Sequence, residues 1–460
     1  MDNQGQTIQQ QSKRCRLVLF PLPLQGHINP MIQLANILHH KGFDISIIHT
    51  KYNLPNLSEY PHFTVHLIPD GLSETEASTS DIVLLLKLLN EKCVKPFLDC
   101  LAQLLSDDAD DHIACIITDA IWYFTQAVAD NIKIRRIVLR TGSVGSLLAF
   151  AALPLFQEKG YLSWKDSEMD APVVEFPPLK VKDIPSIETC TTEPYQVVLN
   201  MVEQTKKASG LIFNTFKELE EPESDKLQEQ FLVPTFAIGP FHKYFAASPS
   251  SLWTQDRTSL SWLDTQAPKS VIYVSFGSIA EMHEDKLIEV AWGLANSGQP
   301  FLWVVRPGLV NGSEWLEILP KEFLEAISRR GYIVKWAPQQ EVLSHPSTGG
   351  FWTHSGWNST LESICEGVPM ICSPFFGDQK VNSRYVNDIW KVGIKLEKGL
   401  DRVQIESAIQ KLMVGKEGED IRKNIMCLKE KLDRCLKPCG SSYQSLENLV
   451  DFISSFRPPV

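Results

Sequence analysis

Residues 16–49 read, piece by piece, RLVLF, PLPLQGHIN, PMIQLANILHH, KGF and DISIIH. Arg16–Phe20 is a short run of strand-forming apolar residues, and 21–29 is a turn carrying Pro21, Pro23, Gly26 and Asn29. In 30–40, Met31, Leu34, Ala35 and Leu38 share one face of a helix, which Gly42 ends. Residues 44–49 return to a strand pattern. A strand, a crossover helix and a second strand in so short a stretch imply parallel pairing, with helices covering the sheet.

Working outward, the short apolar runs 113–118, 136–139 and 210–214 read as further parallel strands, so residues 16–240 form one α/β domain. Gly239, Pro240, Ser248, Pro249, Ser250 and Ser251 mark a linker over 241–256. The alternation then restarts. Strands are expected at 271–275, 301–305, 332–334, 350–352 and 370–372, with helices at 284–295, 359–366 and 382–390. Residues 257–435 therefore form a second α/β domain. In 441–456, Leu446, Leu449, Val450 and Ile453 share a face, and the segment 436–460 is expected to pack back on the first domain. Two open parallel sheets facing each other leave a cleft at the carboxyl ends of their strands, where ligands bind.

Composition narrows the function. The 460 residues exceed one ordinary core, and 43% hydrophobic with 22% charged residues is globular. Only the polar, Gln-rich segment 1–15 reads as flexible. A net charge of -11 and a pI near 5.6 repel a polyphosphate backbone, which argues against a nucleic-acid partner. A single phosphate-bearing ligand is still compatible. The ten cysteines show no C-x-x-C pair and no zinc spacing, so free thiols in a reducing compartment are expected. The run 17–24 is broken by Pro21 and Pro23, and no run approaches the roughly 18 apolar residues of a membrane span. Without a secretory signal, the N-x-S/T triplets at Asn56, Asn311 and Asn358 mean little. A cytoplasmic monomer is expected.

Three constellations carry chemistry. His27 follows the first strand in Gln25-Gly26-His27-Ile28-Asn29-Pro30, and Asp119 ends the apolar run that begins at Ile113. Alone, the first reads as a solvated loop residue and the second as a helix cap. Together, on the cleft side of one sheet, they suit an imidazole base oriented by a carboxylate. The third is long: WAPQQEVLSH from Trp336, GGFWTHSGWNSTLE from Gly349 to Glu362, then Gly377-Asp378-Gln379. Trp336 offers a face for a base to stack on. The polar turn 353–359 opens a helix whose free N–H groups suit a diphosphate, with His354, Asn358 and Ser359 as further donors. Glu362 can accept from ribose hydroxyls, and Asp378 and Gln379 can bond a sugar.

With these residues in place, the chain resembles the plant UDP-dependent glycosyltransferases. Residues 336–379 match that family's signature box, and the likeness extends to Gly26-His27, Thr118-Asp119 and Ser275-Phe-Gly-Ser278. The resemblance implies the GT-B fold, two Rossmann-like domains with the active site between them. It implies that His27 is the general base and Asp119 its partner. It further implies that Trp336 stacks on uracil, and that the Ala337 backbone and Gln339 touch the nucleoside. Glu362 would hold the ribose. Ser278, His354, Asn358 and Ser359 would hold the diphosphate, and Trp357, Asp378, Gln379 and Thr141 the glucose. Position 355 is Ser where the family usually has Cys, 352 is Trp where a smaller apolar residue is common, and 142 is Gly where a small polar residue is usual.

The expected reaction is inverting glucosyl transfer from UDP-glucose to a hydroxyl or carboxyl of a small, mostly apolar acceptor such as a phenolic, terpenoid or hydroxy acid. No cofactor and no metal are expected. The D-x-D pattern in 107–111 precedes a strand, away from the cleft, and reads as a solvated loop. Leu86, Trp122, Leu147, Leu148, Phe150 and Phe376 are the candidates for the acceptor pocket. A nucleotide-sugar oxidoreductase or epimerase should show G-x-G-x-x-G after the first strand, where this chain has Pro21 to Gly26. A non-catalytic UDP-sugar sensor would keep the donor box and lose the base, yet His27 and Asp119 are both present.

Overall fold

Along the first strand, side chains alternate between two cores. Val18 and Phe20 enter one cluster and Leu17 and Leu19 the other, as a strand buried on both faces requires. The computed structural model describes residues 15–107, 113–163, 166–186, 189, 194–245, 251–310, 315, 317 and 319–456. Within these, β1 (Arg16–Phe20), β2 (Asp44–Thr50), β3 (Thr64–Ile68), β4 (Ile113–Asp119), β5 (Arg135–Arg140), β6 (Gly210–Phe213) and β7 (Thr235–Ala237) form a parallel sheet in the order β3-β2-β1-β4-β5-β6-β7. A second parallel sheet holds β8 (Val271–Ser275), β9 (Phe301–Val304), β10 (Gly331–Val334), β11 (Thr348–Thr353), β12 (Met370–Cys372) and β13 (Gly393–Lys395), ordered β10-β9-β8-β11-β12-β13. Its two faces pack equally: Ile272 and Val274 of β8 enter one cluster, Val271 and Tyr273 the other.

Both orders place the site. Chain direction across the first sheet reverses between β1 and β4, and across the second between β8 and β11. Crevices open at such switch points, beyond the carboxyl ends of the strands. His27 follows β1 and Asp119 ends β4, while Ser278 follows β8 and the 354–359 turn follows β11.

Several elements depart from the sequence expectations. The first helix is Gln25–His40, not 30–40, and Pro30 lies inside it. A proline lacks the N–H that would bond the carbonyl four residues earlier. Here that carbonyl is Gly26 O, and it accepts the Asn358 side-chain amide at 2.8 Å. The helix expected at 382–390 begins at Asp378 and runs into one π-helical turn, Tyr385–Ile389. Strands β3, β7 and β13 were not anticipated: each is an edge or short strand, and β3 is largely exposed.

The terminal helix Ser441–Ser454 sets Leu446, Leu449 and Ile453 into the same core as Leu17 and Leu19. Asp107 ends the helix Val94–Asp107, and the rest of the D-x-D stretch lies outside the described residues, as do 1–14 and 246–250 of the expected tail and linker. Among the described residues no helix is long and apolar enough to cross a membrane, and the described cysteines are free thiols.

Candidate active site

One cleft of about 380 Å³ lies between the two sheets, and His27, Thr141, Ser278, Trp336, Ala337, Gln339, His354 and Trp357 are among its walls. Asn358, Ser359, Glu362, Asp378 and Gln379 line it as well. His27 sits in the first turn of its helix, with Nδ1 2.7 Å from Asp119 Oδ2 and 3.0 Å from Thr141 Oγ1. Asp119 is almost wholly buried, and its other oxygen accepts the Ile121 N–H at 2.9 Å. A carboxylate only accepts, so the shared hydrogen belongs to Nδ1 and the Nε2 lone pair is free to take a proton. Asp119 itself is not a cleft wall; it acts on His27 from behind.

Across the cleft, β11 ends and the helix Trp357–Glu366 begins with no side chain capping its N-terminus. Its first N–H groups are thus open to an anion. Burial pushes His354 down to about 4, so the ring is neutral near pH 7, and its Nδ1 has no hydrogen-bond partner among the described residues. Glycines make room for it: a Cβ at Gly277 or Gly356 would lie 2.6 or 2.5 Å from Nε2. Glu362 is held by two amides, Gln339 Nε2 at 2.7 Å and Gln340 Nε2 at 2.9 Å, while Gln339 also donates to Ser359 Oγ at 2.9 Å. Burial raises the Glu362 carboxyl, opposed by those two amides. The Trp336 indole is half-buried, tilted against Trp253 at 6.2 Å, and lines the cleft beside Ala337.

Elsewhere in the cleft wall, Gln379 Oε1 accepts the N–H groups of Phe375 at 2.9 Å and Phe376 at 3.3 Å, so the amide nitrogen is the part of this side chain left to donate. Asp378 accepts from Asn382 at 3.0 Å. Its carboxyl is raised by burial, against the pull of Arg140, Asn382 and His27. The Trp357 indole N–H is committed to Asn214 O at 2.8 Å, so this residue borders the cleft while its ring ties the two domains together.

The acceptor candidates divide. Leu86, Phe150 and Phe376 line the cleft; Trp122, Leu147 and Leu148 do not. Trp122 is fully buried, stacked on Phe20 at 4.6 Å with its indole N–H on Pro21 O at 3.0 Å. Leu147 and Leu148 lie on the faces of the helix Val144–Ala151 that fill the first domain's core. Sequence reasoning also missed Gln340 and Arg140. Arg140 is the last residue of β5 and lines the cleft at 5% exposure. A charge at the carboxyl end of an apolar parallel strand was the available signal.

The chain is similar to known proteins along nearly its whole length. Residues 253–443 match the family model for UDP-glucoronosyl and UDP-glucosyl transferase. The chain is 53% identical to UDP-glycosyltransferase 76B1 of Arabidopsis thaliana, over 96% of this chain and 98% of that protein. It is 44% identical to flavonol 3-O-glucosyltransferase UGT76E12 of Arabidopsis thaliana, over 97% and 98% of the two chains. Among solved structures, a UDP-glucose: anthocyanidin 3-O-glucosyltransferase in complex with UDP superposes with a TM-score of 0.84 at 27% identity, covering 96% of this chain and 99% of that one.

Proposed function

The chain belongs to the plant UDP-glycosyltransferase family, with its GT-B fold, and from that premise we propose that it transfers glucose from UDP-glucose, with inversion, to a hydroxyl or carboxyl of a small, mostly apolar acceptor. The observation that carries this reading is the 2.7 Å contact between His27 Nδ1 and Asp119 Oδ2, facing an uncapped helix N-terminus across one cleft.

In the proposed reaction His27 Nε2 takes the acceptor proton as its oxygen attacks the anomeric carbon. The bond from that carbon to the β-phosphate oxygen breaks, and UDP leaves with the electron pair. Charge growing on the diphosphate meets the N–H groups at the start of Trp357–Glu366 and the donors of Ser278, His354, Asn358 and Ser359. Asp119 stabilises the imidazolium that forms. Trp336 takes the uracil, the Ala337 backbone and Gln339 the nucleoside, Glu362 the ribose, and Thr141, Trp357, Asp378 and Gln379 the glucose. No metal takes part, so a chelator should leave turnover unchanged. A cytoplasmic monomer belongs to the same reading.

The test is mass spectrometry of products from a panel of phenolic, terpenoid and hydroxy-acid acceptors with UDP-glucose and UDP-galactose. A β-linked glucoside or glucose ester is expected, with UDP-glucose the better donor. The Gln379 amide can only donate toward the sugar, and a fixed donor discriminates against an epimer that moves one hydroxyl. An α-linked product, equal use of UDP-galactose, or no transfer to any acceptor would contradict the reading.

A further inference from the structure

Strand β5 carries two buried arginines on one face, Arg136 and Arg140, at 1% and 5% exposure. Arg136 is well satisfied. It donates to Thr118 Oγ1 at 2.9 Å, Gln126 Oε1 at 3.2 Å and Gln204 O at 3.1 Å, with Trp122 O at 3.4 Å. The Arg140 side chain has no hydrogen-bond partner among the described residues and its Nε is buried, while the carboxylates of Asp378 and Asp119 favour its charge without bonding to it. Its guanidinium lies over the Phe150 ring, 5.4 Å from the centroid, in the wall of the cleft. Buried charges are ordinarily hydrogen-bonded as well as balanced, and a guanidinium whose N–H groups are left without acceptors is costly. Space has been kept for it: a Cβ at Gly142 would come within 3.1 Å of Arg140 Nη2. That is the position where a small polar residue is usual in the family.

We propose that Arg140 is a specificity-determining residue that grips a carboxylate on the acceptor, so that the preferred acceptors are hydroxy acids with an apolar body, glucosylated on the hydroxyl. The inference rests on the glucosyl-transfer reading above. Ile82, Leu86, Val198 and Met201 are further apolar walls of the same cleft and share a hydrophobic cluster with Phe150. A planar fork of donors is the natural partner of a carboxylate. The diphosphate already has its cradle on the other domain, at Trp357–Glu366. Thr141, next in the chain, touches the His27 ring at 3.0 Å, so an anchored carboxylate brings a nearby hydroxyl to the base. The hydroxyl oxygen then bonds the anomeric carbon, its proton passes to His27 Nε2, UDP departs, and the product keeps a free carboxylate.

The experiment pairs a series of hydroxy acids with their methyl esters, using wild type, Arg140→Met and Arg140→Lys. Wild type is expected to favour the acids, giving base-stable O-glucosides. In Arg140→Met the acid-to-ester ratio of kcat/KM should fall about 100-fold, as loss of a buried charge-assisted pair implies. Arg140→Lys, which keeps the charge, should lie between. Calorimetry adds a readout without turnover: hydroxy-acid binding to the UDP complex should weaken in Arg140→Met while UDP affinity holds. An unchanged ratio, glucose esters as the main product, or lost UDP affinity would overturn the assignment. Arg140-dependent binding of acids with no transfer to any acceptor would sink the transferase reading and leave Arg140 as a carboxylate-binding residue only.

Discussion

At the residue scale, the proposed donor half of the site consists of side chains already tied in place. Glu362 is clamped by Gln339 and Gln340, and Gln379 by two backbone N–H groups. Such clamping presets donors and acceptors before ligand arrives. Trp336 is different, since its contribution is a flat face. Trp336→Ala should cost about 1–3 kcal/mol of donor binding through lost stacking. The uracil sits away from the reacting carbon, so the loss belongs in the donor KM rather than in kcat. Steady-state kinetics at saturating acceptor checks this, and a hundredfold drop in kcat with unchanged donor KM would contradict it. Apart from Gln340, these residues were legible because they fall within one contiguous stretch, 336–379, whose order carries the meaning. The acceptor wall was legible only in part. Trp122 and Phe150 are both large and apolar after strands β4 and β5, and nothing local says that one stacks on Phe20 while the other meets Arg140.

At the scale of elements, the helix Val144–Ala151 is held at its start by Glu220, which accepts the Gly145 N–H at 3.1 Å and the Thr215 hydroxyl at 2.8 Å. Burial pushes the Glu220 carboxyl up to about 7, against the lowering effect of those two bonds. An acid whose pKa is raised on folding binds more protons folded than unfolded, so its contribution to stability falls as pH rises from about 4.5 to about 7. Glu220→Gln keeps the shape and removes the titration. Relative to wild type, the variant should gain on the order of 2 kcal/mol between pH 5 and pH 8, read from urea unfolding at the two values. An identical gap at both would rule out a raised carboxyl. Element boundaries were the weakest part of the sequence reading, for a physical reason. Pro30 looks like a helix start because it removes a hydrogen bond, yet the carbonyl it frees is used by Asn358 from the other domain. That partner lies 332 positions away and leaves no local trace.

At the scale of the whole molecule, function needs two halves that meet at their switch points. Asn358 reaches Gly26 O, Trp357 reaches Asn214 O, and Ser143 donates to Asn382 Oδ1 at 2.8 Å, all across the cleft. The terminal helix, packed on the first domain after the chain has completed the second, closes the circuit. The general plan was readable because two rounds of strand–helix alternation, separated by a Ser/Pro-rich linker, leave few other topologies. The most direct test of the account is a double-mutant cycle on His27→Ala and Asp119→Asn, measured with one alcohol and one carboxylic acid acceptor, with UDP binding followed by calorimetry. His27→Ala should lower kcat on the alcohol by about 10²–10⁴ with UDP affinity nearly intact. Asp119→Asn should also lower it, the double mutant should lose less than the product of the two, and the carboxylate, already ionised, should suffer least. Additive losses, or full activity of His27→Ala on the alcohol, would contradict the dyad.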